Sequence, residues 1–181
     1  MIVRPATEAD ADALAAIYGD AVLNGFGTFE EVAPSAADMD SRRRAIQDDG
    51  LPYLVAEDDG QVLGFAYAGP FRPRAAYRYT LEDSVYVAPQ AKGKGVGRTV
   101  LSTVIAACEA LGVRQLMAVI GDSGNQGSIG LHRSLGFEQT GVGRSVGFKH
   151  GRWVDIVHMQ KALNGGDSMP PSGGGVTLTG H

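Results

Sequence analysis

Cysteine is nearly absent from this sequence. Cys108 stands alone among 181 residues, which excludes an internal disulfide. It falls within an apolar stretch, where a small buried hydrophobe is expected rather than a nucleophile. Long hydrophobic runs are missing too, so no segment reaches the length that crosses a bilayer. The opening residues, M-I-V-R-P-A-T-E-A-D, lack the regions of a secretory leader, and a cytoplasmic protein is expected. Positive charge is not in excess. Sixteen Lys and Arg against 20 Asp and Glu give a net charge of −4, which argues against a general nucleic-acid binder. The four histidines, His132, His150, His158 and His181, show no ligand spacing such as H-x-x-x-H, and no metal is expected. No internal repeat is visible. What is present is a chain of one ordinary domain's length, 44% apolar and 20% charged, able to bury a sizeable core.

The chain is organised around residues 82 to 98, E-D-S-V-Y-V-A-P-Q-A-K-G-K-G-V-G-R. Val85, Tyr86 and Val87 read as a strand, which Pro89 cannot continue. Gly93, Gly95 and Gly97 follow in alternation. Val96, Val100, Leu101, Val104, Ile105 and Cys108 then take the three-and-four spacing of a buried helical face. A strand, a loop without side-chain bulk and a helix N-terminus in series make an anion site. The first-turn N–H groups point outward, and the helix dipole favours negative charge there. Lys92, Lys94 and Arg98 add positive charge, so a phosphate or pyrophosphate is the expected guest. The string G-x-x-x-x-G-K-[ST] of a P-loop is absent. A dinucleotide fingerprint fails as well, because Arg98 stands where its third glycine belongs.

The remaining elements read in order as follows. Ile2 to Pro5 form a short strand. Thr7 and Asp10 make a near capping box for a helix striped by Leu14, Ile17, Tyr18, Ala21 and Val22, which Gly25 ends. Residues 26 to 32, F-G-T-F-E-E-V, are too aromatic for an ordinary loop and too broken for a long strand. Ser35 caps a second helix running to about Gly50, on which Arg42, Arg43 and Arg44 are expected to be a solvated face. Residues 53 to 56 and 62 to 68 form a hairpin about Asp58-Asp59-Gly60, broken by Gly69-Pro70. Residues 71 to 78 place Arg72, Arg74 and Arg78 with Phe71 and Tyr77 just before the central strand. Leu116 to Ile120 form a buried strand, a short helix spans about Gln126 to Leu135, and a closing hairpin turns at His150-Gly151. From Asn164 onward the apolar pattern stops. A domain of residues 1–163 with a mobile tail of residues 164–181 is expected.

Asn125, Ser128 and His132, at spacings of three and four, share one side of their helix. Together with K-G-K-G-V-G behind V-Y-V, the stretch N-Q-G-S-I-G-L-H-R-S-L-G-F resembles the acyl-CoA-binding elements of the GNAT superfamily of N-acetyltransferases. Lys92 replaces the usual Arg or Gln, and His132 the usual tyrosine. A-Y-A-G-P-F-R-P-R-A-A-Y, T-L-E-D-S-V-Y-V, L-H-R-S-L-G-F and G-R-W-V-D-I-V-H-M-Q are similar to the phosphinothricin and methionine-sulfoximine acetyltransferase branch, over roughly residues 2 to 162. The resemblance implies an α/β (α+β) fold, with a mixed, mostly antiparallel sheet flanked by helices and central strands that splay to admit acetyl-CoA. It implies acetyl-CoA contacts at Val85, Tyr86, Val87, Lys92, Gly93, Lys94, Gly95, Val96, Gly97, Arg98, Asn125 and Ser128. Catalytic roles fall on Glu82 and His132. Contacts to a small acidic amine acceptor fall on Phe29, Glu30, Arg72, Arg74 and Tyr77. A homodimer is implied as well.

The chemistry suits these residue types. Amine acetylation needs a neutral amine, and a carboxylate beside it can take the proton. Glu82 alternates with Ser84 and Tyr86, a face that can open to the cleft. Backbone N–H groups near Val87 can stabilise the oxyanion, and His132 can either assist deprotonation or protonate the departing sulfur. Arg72 and Arg74 suit an acidic acceptor, since a guanidinium binds oxyanions bidentately. Acetylation of a protein N-terminus or an aminoglycoside is an alternative, although these arginines disfavour a polycation. A non-catalytic acyl-CoA sensor is another.

Overall fold

The structure, a computed structural model, describes residues 1–176. β1 (Ile2–Pro5) pairs with β2 (Tyr53–Asp58), and β2 turns into β3 (Gln61–Pro70). Their turn is Asp59-Gly60, with both residues at positive φ (47° and 77°) as a tight two-residue hairpin requires. β4 (Thr80–Val87) follows, then α3 (Val96–Ala110), β5 (Gln115–Gly121) and α4 (Gln126–Ser134). The hairpin β6 (Glu138–Lys149) and β7 (Arg152–Ala162) closes the domain around His150-Gly151, again at positive φ. α1 (Ala11–Asn24) and α2 (Ala36–Asp48) precede β2. Asp10 accepts the Thr7 N–H at 2.8 Å before α1. Ser35 and Asp38 exchange backbone N–H bonds at 3.1 and 2.9 Å as a capping box for α2.

Among the described residues seven strands form one sheet in the order β1-β2-β3-β4-β5-β7-β6. Each neighbouring pair is antiparallel except β4 and β5, which run parallel. The expected mixed, mostly antiparallel sheet is borne out. Strand alternation divides β4 between two layers. Tyr86 turns to α1, where its ring meets Tyr18 at 4.8 Å, whereas Val85 and Val87 lie under Gly97 of α3. Val100, Leu101 and Val104 of α3 are wholly buried against the sheet, each contributing about 1.5–3 kcal/mol of apolar burial.

Two local expectations are corrected. β3 does not break at Gly69-Pro70 but continues, pairing Gly69 with Glu82 and Pro70 with Leu81. A proline is tolerated at this last ladder position, where no further N–H is needed. β4 accordingly begins at Thr80, well before Val85. Arg43 is buried rather than solvated and donates to Asp40 and Gln47, because α2 packs that face onto the domain. In the segment expected to be a mobile tail, residues 164–176 carry named contacts. Asn164 Nδ2 donates to the Glu109 and Val113 carbonyls at 2.9 and 3.0 Å. Tyr79 donates to the Gly173 carbonyl at 2.7 Å, and the Val176 N–H to that of Arg78 at 2.8 Å. Residues 177–181 of that segment lie outside the described residues.

Candidate active site

β4 and β5 are paired only from Thr80–Gln115 to Asp83–Ala118. Beyond that point β4 keeps β3 as its partner and β5 keeps β7, so the two central strands part. The backbone edges of Ser84 to Val87 and of Val119 to Gly121 thus face a gap instead of each other. A cavity of about 930 Å³ fills the gap. Its walls include Val85, Val87, Gly93, Gly95 to Arg98, Ser128 and His132, and, across the gap, the end of α1 with Gly25 to Gly27. Parted parallel strands leave backbone groups free to bond an extended guest, which a closed ladder forbids.

The glycine loop ends on the N-terminus of α3. Gly93 and Gly95 hold φ of 76° and 82°, a region that side chains disfavour, and a Cβ on either would project into open space. Gly95 is the N-cap, so the first N–H groups of α3 aim into the loop. Lys92 and Lys94 are exposed beside them. These residues fit the phosphate arm of a coenzyme A. Two of these wall residues also take part in packing. Gly97 is small because a Cβ would press on Leu131 and Val87 at 3.2 and 3.3 Å, so it serves the packing of α3 against α4 and β4. Arg98 donates to the hydroxyl of Ser134 at 2.8 Å and so braces the end of α4. Asn125 is the N-cap of α4, its side-chain oxygen accepting the Ser128 N–H at 3.1 Å. Asn125 and Ser128 both line the cavity.

The opposite face of β4 carries Glu82. It is half-buried, and burial holds its pKa above the ordinary carboxylate range against the opposing pull of Arg72. The Arg72 guanidinium stands 3.8 Å away and lies over the Phe71 ring at 4.3 Å. Tyr77 meets the same ring edge-on at 5.7 Å. Arg74 and Arg78 are exposed. The Arg78 Nε donates to the Ala75 carbonyl at 2.8 Å, whereas no ion pair or hydrogen bond engages the Arg74 guanidinium among the described residues. Glu30 is held on this side of the sheet by Arg42 at 2.7 and 3.1 Å and by the Tyr18 hydroxyl at 2.8 Å. The Arg42 bonds keep its pKa low despite partial burial. Arg42, expected on a solvated face, is therefore part of this constellation. Phe29 lies against Gly147, and the buried Lys149 donates to the Thr28 carbonyl at 2.8 Å, which ties residues 28 to 30 to the β6–β7 hairpin.

His132 does not meet Glu82. It faces the cavity from α4, with Nε2 3.0 Å from Asp83 Oδ2 and Nδ1 2.8 Å from the Ser128 carbonyl. Asp83 was not singled out from the sequence, although a signal existed. It is a lone carboxylate on the β4 face otherwise built from Leu81, Val85 and Val87. Among the described residues no cluster of three or more His, Cys, Asp or Glu is placed to hold a metal.

Residues 20–137 match the acetyltransferase (GNAT) family. A phosphinothricin N-acetyltransferase of Alcaligenes faecalis is 56% identical over 93% of this chain and 86% of its own length. An L-methionine sulfoximine/L-methionine sulfone acetyltransferase of Pseudomonas paraeruginosa is 42% identical over 93% of this chain and 98% of its own. Among solved structures, a phosphinothricin acetyltransferase from Sinorhizobium meliloti, in complex with acetyl-CoA, superposes with a TM-score of 0.92. It is 47% identical and covers 96% of this chain and 94% of its own. With the strand–glycine–helix element and the parted central strands on the same chain, the protein belongs to the GNAT family of acetyltransferases.

Proposed function

We propose that this chain transfers the acetyl group of acetyl-CoA directly to the amine of a small acidic amino-acid-like molecule, of the phosphinothricin or methionine sulfoximine and sulfone type. The observation that carries the reading is a half-buried carboxylate 3.8 Å from the Arg72 guanidinium, set on the strand that walls the cofactor cavity. The glycine loop and the α3 N-terminus receive the pyrophosphate, and the exposed edge of Ser84 to Val87 receives the amide-rich arm. Glu82 takes the proton of the attacking amine. Its raised pKa brings it nearer the working pH, where a base is most effective. Arg74, with Arg72, anchors the acceptor's acidic group bidentately. Glu30 and Phe29 border the acceptor. Backbone N–H groups of β4 near Val87 are fixed donors for the developing oxyanion.

Direct transfer is favoured over an acyl-cysteine intermediate. Cys108 is wholly buried on α3, and burial pushes its thiol pKa up to about 12, so it offers no thiolate. The protein works as a homodimer in this reading. Val146, Phe148 and Trp153 leave an apolar patch on the β6–β7 hairpin, with the last two rings in edge contact at 5.4 Å. Sedimentation at micromolar concentration checks the dimer.

The deciding experiment is thiol release from acetyl-CoA across a panel of amines: phosphinothricin, methionine sulfoximine, methionine sulfone, common amino acids, a peptide N-terminus and an aminoglycoside. Turnover is expected for the acidic amino-acid analogues. Preference for the peptide or the aminoglycoside would refute the acceptor assignment, and acetyl-CoA binding without turnover on any amine would make the protein a sensor.

A further inference from the structure

The surroundings of His132 decide which way a proton can move through it. Both ring nitrogens face oxygen atoms. The Ser128 carbonyl, 2.8 Å from Nδ1, can only accept, so Nδ1 carries a proton. Nε2 is 3.0 Å from Asp83 Oδ2, and a second proton lies on that line. Ring and carboxyl together therefore hold two protons, either as imidazolium beside carboxylate or as imidazole beside carboxylic acid. Both forms are neutral overall, as suits side chains only 3% and 0% exposed. Neither form leaves the ring an open lone pair. His132 has no place for the acceptor's proton; it has one to give.

Asp83 is the last β4 residue paired with β5, at the point where the strands part, and it lines the cavity with His132. Its other oxygen, Oδ1, has no hydrogen-bond partner among the described side chains and backbone, so His132 is the group that answers its charge. The surrounding groups are few. α3 presents the Cys108 thiol, β4 the neighbouring Glu82, α4 Ser128, and β5 the uncharged Ala118. The Phe137 ring meets the imidazole edge-on at 5.0 Å. Burial works to lower the His132 pKa, but the Asp83 bond and charge with the Ser128 carbonyl outweigh it, and the pKa lies above that of a free histidine.

We propose that Asp83 is a positioning residue that keeps His132 as the imidazolium, the proton donor for the departing CoA thiolate, which leaves Glu82 on the other face of β4 as the base. The inference rests on the acetyl-transfer reading and extends it. Ser128 supplies the exit, its hydroxyl lying 3.4 Å from Nδ1 on the cavity wall. As the carbon–sulfur bond breaks, its electron pair stays on sulfur. Sulfur takes the Ser128 hydroxyl proton, and the Ser128 oxygen takes the proton of Nδ1. The ring ends neutral, its Nε2–H donating to the Asp83 carboxylate. Glu82 has meanwhile gained the amine's proton. Exchange with water returns one proton to His132 and removes one from Glu82, so the cycle balances.

Asp83→Asn keeps the shape and a hydrogen bond to the ring but removes the charge, leaving burial opposed only by the Ser128 carbonyl and the imidazole neutral at pH 7. A thiolate leaves fairly well unaided, since its thiol pKa is about 8.5, so the loss belongs at or below the low end for acid–base catalysis. We expect kcat to fall about 10- to 100-fold while KM for acetyl-CoA stays within about threefold. The alkaline limb of kcat should move to lower pH and the acid limb should stay. Nitrogen-15 NMR of the wild type, with His132 assigned by loss of its signals in His132→Gln, should show both ring nitrogens protonated at pH 7. That measurement needs neither turnover nor a variant at Asp83. An unprotonated ring nitrogen in an active wild type, or an Asp83→Asn protein with unchanged kcat and alkaline limb, overturns this role alone. Absence of thiol release with every amine overturns the acetyl-transfer reading and this role together.

Discussion

Replacing Gly121 by alanine would set a methyl group against the Phe26 carbonyl oxygen, which crosses the end of β5 in direct contact with the glycine. The Gly27 Cα, at 3.3 Å from the new carbon, blocks a sideways escape. To approach van der Waals distance the carbonyl must retreat by at least about 1 Å. β5 cannot yield instead, because Gly121 is laddered to Ile156 and the next N–H, of Asp122, bonds the Asp155 carbonyl at 2.9 Å. The strain therefore falls on residues 25 to 28, of which Gly25 to Gly27 line the cavity and which lead into Phe29 and Glu30. Overpacking of this kind costs about 1–3 kcal/mol. For a domain of this size that is a fall in Tm of about 2–12 °C. A 1 Å displacement of a positioning segment costs about 100-fold in rate, so kcat/KM for the acceptor should drop by that order. The dissociation constant for acetyl-CoA should rise as well, because Gly25 to Gly27 wall the same cavity, but by less, since the glycine loop lies on another element. Differential scanning calorimetry, steady-state kinetics and calorimetric titration with acetyl-CoA read the three quantities separately. A Gly121→Ala protein with wild-type Tm and acceptor kcat/KM within about twofold would refute both the close packing and the positioning role of residues 25 to 28.

Four further outcomes follow from the site. Glu82→Gln should lower turnover by about two to four orders of magnitude, with partial recovery as pH rises and the amine deprotonates unaided. In the wild type, activity should be present above the raised Glu82 pKa and be lost as pH falls through it; Arg72→Ala, by removing the opposing charge, should shift that acid limb to higher pH in a pH–rate profile. Arg74→Ala should raise KM for acidic acceptors much more than KM for acetyl-CoA, because the exposed guanidinium anchors only the acceptor; equal losses in steady-state kinetics would move it to the cofactor side. Gly95→Val forces a β-branched residue to φ near 82°, at a cost of about 1–3 kcal/mol. Calorimetric titration should then show acetyl-CoA binding weakened about tenfold or more, and unchanged affinity would remove the loop from the cofactor site.

Local chemistry made much of this protein legible in one dimension. The Asp-Gly and His-Gly hairpins, the Ser35 cap, the V-Y-V strand and the glycine entry to α3 each depend on neighbours within a few residues, so their signals survive in the sequence. The family resemblance rested on the same short elements, and with them came the parted central strands. The tertiary structure decided what those side chains meet. Asp83 and His132 are 49 residues apart and become partners only when α4 is laid across β4. Arg42 is exposed, and its pairing with Glu30 depends on the loop after α1. That Gly97 also packs under Leu131 is decided only by the placing of α4. The reach of β3 through Pro70 depended on β4 offering Leu81 as a partner. A side chain's role follows from the dielectric and the groups packed around it, and those are properties of the assembled layers that no short stretch of chain contains.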